Sequence, residues 1–137
     1  MPGKTASDIR IHIMRDTDIV LACHKGRLLA AQLGLSDHEQ VIVVIAISEI
    51  AHNIVKYAQQ GEIVLSAARQ NGKCGITVVA RDEGPGIPDI ERALQDGYST
   101  GGSLGLGLPG AKRLMDEFEV VSQVGQGTTV IMKKWRR

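Results

Sequence analysis

Aromatic side chains are nearly missing from this chain: one Trp, one Phe and two Tyr, 3% of 137 residues. A core must therefore rest on Ile, Val, Leu and Ala. Charge of one sign is also missing. The formal net charge of +1 argues against nucleic-acid binding driven by bulk electrostatics. Only two cysteines occur, Cys23 and Cys74, far apart and in no CxxC spacing. That pattern fits reduced thiols in a cytosol and neither a disulfide scaffold nor a zinc site. The N-terminus lacks the apolar run of a signal peptide, and the longest apolar stretch, Val41 to Ile47, is too short to span a bilayer. The four histidines, His12, His24, His38 and His52, share no metal-ligand spacing with a third ligand, so no zinc is expected. Ser48, Ser99 and Ser103 lack a His/Asp partner set, which speaks against a triad hydrolase. The length suits one domain, residues 1–137, with one core. The expectation is a soluble cytoplasmic protein whose basic end, Lys133 to Arg137, is a solvated tail.

Residues 1–8 read as a loose terminus. Ile9, Ile11 and Ile13 alternate with Arg10 and His12 and predict a half-buried strand. Asp16 is the expected cap of a helix running to about Leu33, with Gly34 as its stop. Ser36-Asp37-His38-Glu39 has the form of a capping box, so a second helix starts at Asp37. Its middle, Val41 to Ile47, is rich in strand formers. Yet no Gly or Pro occurs between Leu35 and Gln60, and a strand that long is improbable; a helix apolar all round is a buried one. Glu62–Arg69 and Gly75–Ala80 predict two strands joined by an Asn71-Gly72 hairpin turn. A short helix over Asp89–Gln95, a helix from about Leu108 to Met115 with Pro109 in its first turn, and a last hairpin of Phe118–Val124 and Thr128–Lys134 complete the chain. The order β-α-α-β-β-(short α)-α-β-β predicts an α+β two-layer sandwich: a mixed, mostly antiparallel sheet covered on one face by helices.

Three polar motifs interrupt this pattern. Glu49 and Asn53 lie four residues apart, on one helix face. That face contains Ile42, Ile45 and Ala46 before them and Lys56 after them. A solvated helix end accounts for such a stripe without any function. A helix along a cleft wall accounts for it differently: Asn53 offers one neutral oxygen to Mg²⁺ whose other ligands are phosphates and water, Glu49 takes a proton from an attacking hydroxyl or water, and Lys56 reaches a phosphate. The second motif is Asp82-Glu83-Gly84-Pro85-Gly86. A strand-end Asp before Gly is commonly a turn former. In a nucleotide pocket its carboxylate accepts a hydrogen bond from the exocyclic amine of adenine and repels the oxygen guanine presents there. Gly84 and Gly86 bring the backbone close. The third motif is Gly101-Gly102-Ser103-Leu104-Gly105-Leu106-Gly107. It is either a plain Gly-rich loop or, because it ends at a helix start, a cradle whose N–H groups at Gly105, Leu106 and Gly107 aim at an anion. It is neither a P-loop nor a Rossmann fingerprint. Gly127-Thr128-Thr129 opens the last strand and brings one hydroxyl to the base; Thr128 is favoured over its neighbour.

The boxes Glu49…Asn53, Asp82-x-Gly84-x-Gly86 and Gly105-x-Gly107 resemble those of the GHKL ATPases, which share the Bergerat nucleotide fold. The stretches Ile47 to Ile54, Asp82 to Ile90 and Gly105 to Phe118 resemble the compact, anti-sigma-type serine-kinase branch, in particular the switch kinases of the bacterial stressosome. The resemblance covers nearly the whole chain. It implies a serine/threonine protein kinase using Mg-ATP in stress-response partner switching. Its substrates would be STAS-domain scaffold proteins, and its second partner a metal-dependent serine phosphatase or other output regulator that it activates; no nucleic acid or membrane partner is implied. Residue by residue, it assigns Glu49 as general base, Asn53 as magnesium ligand and Asp82 as adenine reader. Gly84, Gly86, Ile87, Gly101, Gly102, Ser103, Leu104, Gly105, Leu106 and Gly107 are then nucleotide-binding, with Lys56 and Thr128 beside them. An alternative of a different class is an ATP-switched anti-sigma factor that acts by sequestration. Partner binding discriminates the two.

Overall fold

The alternation of Ile9, Ile11 and Ile13 becomes strand β1 (Ile9–Ile13), with Ile11 and Ile13 buried and Arg10 and His12 exposed. The structure is a computed structural model and describes residues 8–84 and 107–137. The helix expected over Asp89–Gln95 and the motif residues Gly86, Ile87, Gly101, Gly102, Ser103, Leu104, Gly105 and Leu106 lie outside the described residues.

Helix α1 (Asp16–Gln32) starts at the expected place with a different cap. Arg15, not Asp16, takes the N-cap position, and Asp18 Oδ2 accepts hydrogen bonds from the Met14 and Arg15 backbone N–H groups, each at 3.0 Å. An acid at the third helical position reaches back over the first turn; an acid at the first cannot. The helix ends as expected at Gly34, whose φ of 88° lets its N–H reach Ala31 O and the next N–H reach Ala30 O.

Helix α2 (Asp37–Asn53) begins at the Ser36 capping box. Ser36 Oγ accepts from Glu39 N–H at 3.1 Å, and Glu39 Oε1 accepts from Ser36 N–H at 2.8 Å. The β-rich run inside it is helical because Val43, Ile47 and Ile50 are buried between α1 and the sheet. The same helical path then widens into a π-helical turn, Ile54–Ala58, which ends at Gln59 with φ 71°. By length and composition Asp37–Ala58 is apolar enough to cross a membrane (22 residues, mean hydropathy 1.6), a longer candidate than the Val41–Ile47 run. Here it is the central helix of the core cluster.

Strands β2 (Gly61–Gln70) and β3 (Lys73–Asp82) are joined by Asn71 and Gly72, both at positive φ (53° and 80°), as a two-residue hairpin turn of the right twist demands. Helix α3 (Gly107–Leu114), β4 (Glu117–Gln123) and β5 (Gly127–Trp135) follow. The sheet order is β1-β2-β3-β5-β4, and every pair is antiparallel. The two-layer α+β sandwich stands; the expected mixed sheet carries no parallel pair among the described residues. The reason lies in the first connection. One crossover helix makes neighbouring strands parallel; two antiparallel helices return the chain to the end it left, so β2 starts where β1 stops.

The C-terminal end corrects the expectation of a solvated tail. Lys134 and Trp135 are buried. Lys134 Nζ donates to Leu114 O at 3.2 Å and lies 3.5 Å from Asp116 Oδ1. Asp116 also accepts from Trp135 N–H at 2.7 Å and from the Arg137 guanidinium, while Trp135 Nε1–H donates to Glu117 Oε2 at 2.9 Å. Alternation along β5 puts Lys134 on the helix side, where a charge needs partners, and one carboxylate at the β4 start supplies them.

Candidate functional site

The connectivity collects the ends of the motif-bearing elements at one edge of the sandwich. β1 runs toward that edge, α1 away from it and α2 back to it. β3 ends there. β5 starts there, because Asp82 pairs with Thr128. α3 points its N-terminus there, because its last turn is tied to the far end through Leu114 O and Lys134.

Glu49 lies on α2, 1% exposed. Ile47 marks the side of α2 that faces α1 and the sheet: a methyl built on Gly26 would lie 2.3 Å from Ile47 Cδ1 and 3.9 Å from Leu65. Glu49 is about 200° further round the helix, on the side where α3 packs through Leu108, Ala111 and Met115. Asn53 is one turn on, half-buried, and is the last α-helical residue. A carboxylate this deep in a helix layer is costly unless other groups hold it. The solvated-end reading of the stripe therefore fails for Glu49. Lys56 follows in the widened π turn, exposed, with its ammonium 5.4 Å from the Tyr57 ring centroid.

Asp82 closes β3 between Gly61 of β2 and Thr128 of β5. Its Oδ1 accepts from Gly84 N–H at 2.9 Å. The turn-forming role is therefore met by one oxygen, Oδ1, which shapes the loop. Asp82 shares the helix-side face with the buried Ile76, Val78 and Ala80. Three glycines bring the motifs into contact. A Cβ on Gly61 would lie 2.9 Å from Ile54, the residue after Asn53, and 3.1 Å from Asp82 Cβ. A Cβ on Gly84 would lie 2.6 Å from Ala58 Cβ. A Cβ on Gly127, at φ 117°, would lie 2.1 Å from Asp82 O. The end of α2, the end of β3 and the start of β5 therefore meet.

Of Thr128 and Thr129, the register puts Thr128 on the helix side beside Asp82 and Thr129 on the opposite face beside Arg81. Among the described residues Gly107 opens α3, whose positive dipole end lies toward this edge. Sequence reasoning missed the π turn, the tight seats of Gly61 and Gly127, and Ser122, whose hydroxyl bonds Thr128 Oγ1 at 2.9 Å. The parity of β4 was the available signal for Ser122, since Phe118, Val120 and Ser122 share one face. A shallow depression of about 380 Å³ lies elsewhere, at the β2–β3 turn, lined by Arg69 to Cys74 and by no motif residue.

Among the described residues no three His, Cys, Asp or Glu side chains gather in a way that could hold a metal. The donor set instead fits an ion that takes few protein ligands. Asn53 would offer one neutral oxygen to Mg²⁺ carried by nucleotide phosphates, with the Glu49 carboxylate one turn away.

Residues 15–134 match the family model described as a histidine kinase-like ATPase domain. The serine/threonine-protein kinase RsbT of Bacillus subtilis (strain 168) is 47% identical over 127 residues, 93% of this chain and 96% of that protein. The anti-sigma F factor of Geobacillus stearothermophilus is 36% identical over 111 residues, 76% and 75% of the two chains. Among solved structures, the RsbU and RsbW domains of Rv1364c from Mycobacterium tuberculosis superpose with a TM-score of 0.59 at 23% identity, covering 94% of this chain and 33% of that one. The mycobacterial sensor histidine kinase MprB superposes with a TM-score of 0.56 at 16% identity, covering 94% and 97%. Motif order, site geometry and these matches agree: the chain belongs to the histidine kinase-like ATPase (GHKL) family.

Proposed function

We propose that this chain is a Mg-ATP-dependent serine/threonine protein kinase of a cytoplasmic partner switch. It phosphorylates a Ser or Thr on STAS-domain scaffold proteins of a stressosome, then binds and activates a metal-dependent serine phosphatase or another output regulator. The observation that carries the reading is the buried Glu49 carboxylate one turn from Asn53, at the edge where Asp82 ends β3. The similarity to RsbT over nearly both whole chains supports the same activity.

In this reading each residue has one task. Asp82 Oδ2 accepts from the exocyclic amine of adenine while Oδ1 holds the loop. The N-terminus of α3 turns its positive dipole end toward the phosphates. Asn53 contributes its amide oxygen to Mg²⁺. Bound Mg-ATP supplies the γ-phosphoryl group and neutralises the charge that builds up on it. Glu49 orients the acceptor hydroxyl and takes its proton as the new O–P bond forms and the bridging P–O bond to the departing ADP breaks. Burial keeps competing water from that carboxylate. Gly86, Ile87 and the Gly101–Leu106 segment complete the nucleotide contacts.

Radiolabel transfer from ATP to a STAS-domain protein of the same genome tests the role. Glu49→Gln keeps shape and hydrogen bonding but cannot take a proton. ATP binding stays within a few-fold, and transfer falls by about 10²–10⁴-fold. Unchanged transfer refutes Glu49 as the base. The similarity to anti-sigma F factors favours a second reading, sequestration of a sigma factor with ATP as the switch. The lower identity and coverage place it second, and co-purification with a sigma factor would reverse that order.

A further inference from the structure

Ser122 belongs to no motif, yet it is bonded to the site. It pairs across β4–β5 with Thr128, which in turn pairs across β5–β3 with Asp82. The three side chains lie in one row on the helix side of the sheet, and directly opposite side chains in such a row stand about 5 Å apart. A count of hydrogens gives the row a direction. Ser122 Oγ lies 3.1 Å from Gly127 O. A carbonyl oxygen only accepts, so the single Ser122 hydrogen goes there. By position either hydroxyl could donate in the 2.9 Å contact between Ser122 Oγ and Thr128 Oγ1; with the Ser122 hydrogen on Gly127 O, Thr128 is the donor. Thr128 has no second hydrogen. What it presents to the pocket is a lone pair.

We infer that Ser122 is a positioning residue for nucleotide specificity: by taking the Thr128 hydrogen it makes Thr128 an obligate acceptor beside the Asp82 carboxylate, so that the base edge placed there must donate. A purine with an amino group at its six-position satisfies both acceptors. One with an oxo group there meets two acceptors with a third. The inference rests on the proposed reading of Asp82 and Thr128 as base-facing residues. It goes beyond that reading by making discrimination a property of a hydrogen-bond chain that starts at the β4–β5 turn, at a residue that need not touch the base. Without the Ser122 oxygen the Thr128 hydroxyl can turn and donate to a six-oxo group or to a water beside it.

The probes are ATP and inosine triphosphate, which differ at the six-position and its neighbouring ring nitrogen. The measurement is the ratio of their dissociation constants by calorimetry. Ser122→Thr keeps the hydroxyl; Ser122→Val replaces that hydroxyl by a methyl group in a side chain of the same shape. Ser122→Thr keeps the parent ratio, and Ser122→Val and Ser122→Ala lower it about five- to tenfold, the worth of one hydrogen bond, mainly by gaining inosine affinity. In a Thr128→Val background Ser122→Ala changes nothing further. A parent-like ratio in Ser122→Val, with Asp82→Asn lowering the ratio, overturns this inference and leaves the base reading standing. A parent-like ratio in Asp82→Asn overturns both. A loss in Ser122→Val that Ser122→Thr shares equally shows a packing effect and also overturns it.

Discussion

Asp82→Asn separates the loop bond of this carboxylate from its proposed contact with adenine. Oδ1 accepts from Gly84 N–H at 2.9 Å, and an asparagine side-chain oxygen accepts in the same way. The loop against Ala58 is therefore kept, and the ligand-free protein melts close to the parent. The group replacing Oδ2 is an NH₂, a donor facing the adenine amine, itself a donor. A hydrogen bond to a charged group contributes about 1.5–3 kcal/mol, and an unsatisfied donor costs about 1–3 more. Solvent at this half-buried site moderates the sum to about 2–4 kcal/mol, or a weakening of ATP binding by roughly 30- to 700-fold. Calorimetric titration with ATP, paired with ligand-free melting, reads both quantities. Asp82→Ala is the companion, since it also removes the loop acceptor and lowers the melting temperature. An Asp82→Asn protein that binds ATP within threefold of the parent refutes the adenine assignment. One that melts far below the parent refutes the division between the two oxygens.

Two further outcomes follow from groups away from the site. Asp116→Ala leaves the buried Lys134 ammonium with Leu114 O and without its carboxylate, a loss of about 3–5 kcal/mol visible in urea unfolding; a change under about 0.5 kcal/mol would show that the C-terminal end is solvated after all. Asp18 is held below its ordinary value near 3.8 by backbone N–H bonds from Met14 and Arg15. Its contribution is fully present above that value and is lost as pH falls through the lower folded one, so the stability gap between the parent and Asp18→Asn closes below about pH 3.8; a gap that widens on acidification contradicts the capping geometry.

What could be read in advance was whatever depends on spacing along one element. Ser36 and Glu39 announced the start of α2, Asn71-Gly72 the β2–β3 turn and Gly34 the end of α1, because each is a local backbone requirement that few residues meet. Glu49 and Asn53 were placed on one face for the same reason. What could not be read depends on pairs of elements. The burial of Glu49 depends on what packs against α2, and α3, which does so, lies more than fifty residues later in the chain. Thr128 could be chosen over Thr129 only once β5 was paired with β3 in a definite register. Lys134 and Trp135 look like a charged tail until strand parity turns one of them inward. The π turn had no local signal at all: Ile54 to Ala58 carries neither Gly nor Pro, and the widened turn is set by Gly61 against Ile54 and Gly84 against Ala58.

Those two contacts explain why the site is built at this edge. The groups assigned to the base, Asp82 and Thr128, are on strands paired in a definite register. The groups assigned to phosphate and transfer, Glu49, Asn53 and the α3 N-terminus, are on helices, which can slide over a sheet of aliphatic side chains. A pocket that reads a base on one layer and does chemistry on the other needs the layers locked where they meet. Gly61 and Gly84 allow that, because only a missing Cβ lets the π turn seat directly on the ends of β2 and β3. Enlarging either glycine would push the helix end off the strand ends by roughly the width of the lost contact. Asn53 would then move relative to Asp82 while both kept their own local structure, and a displacement on the order of 1 Å suffices to cost about a hundredfold in transfer. At positions 61 and 84 the missing Cβ is room for the protein's own helix end.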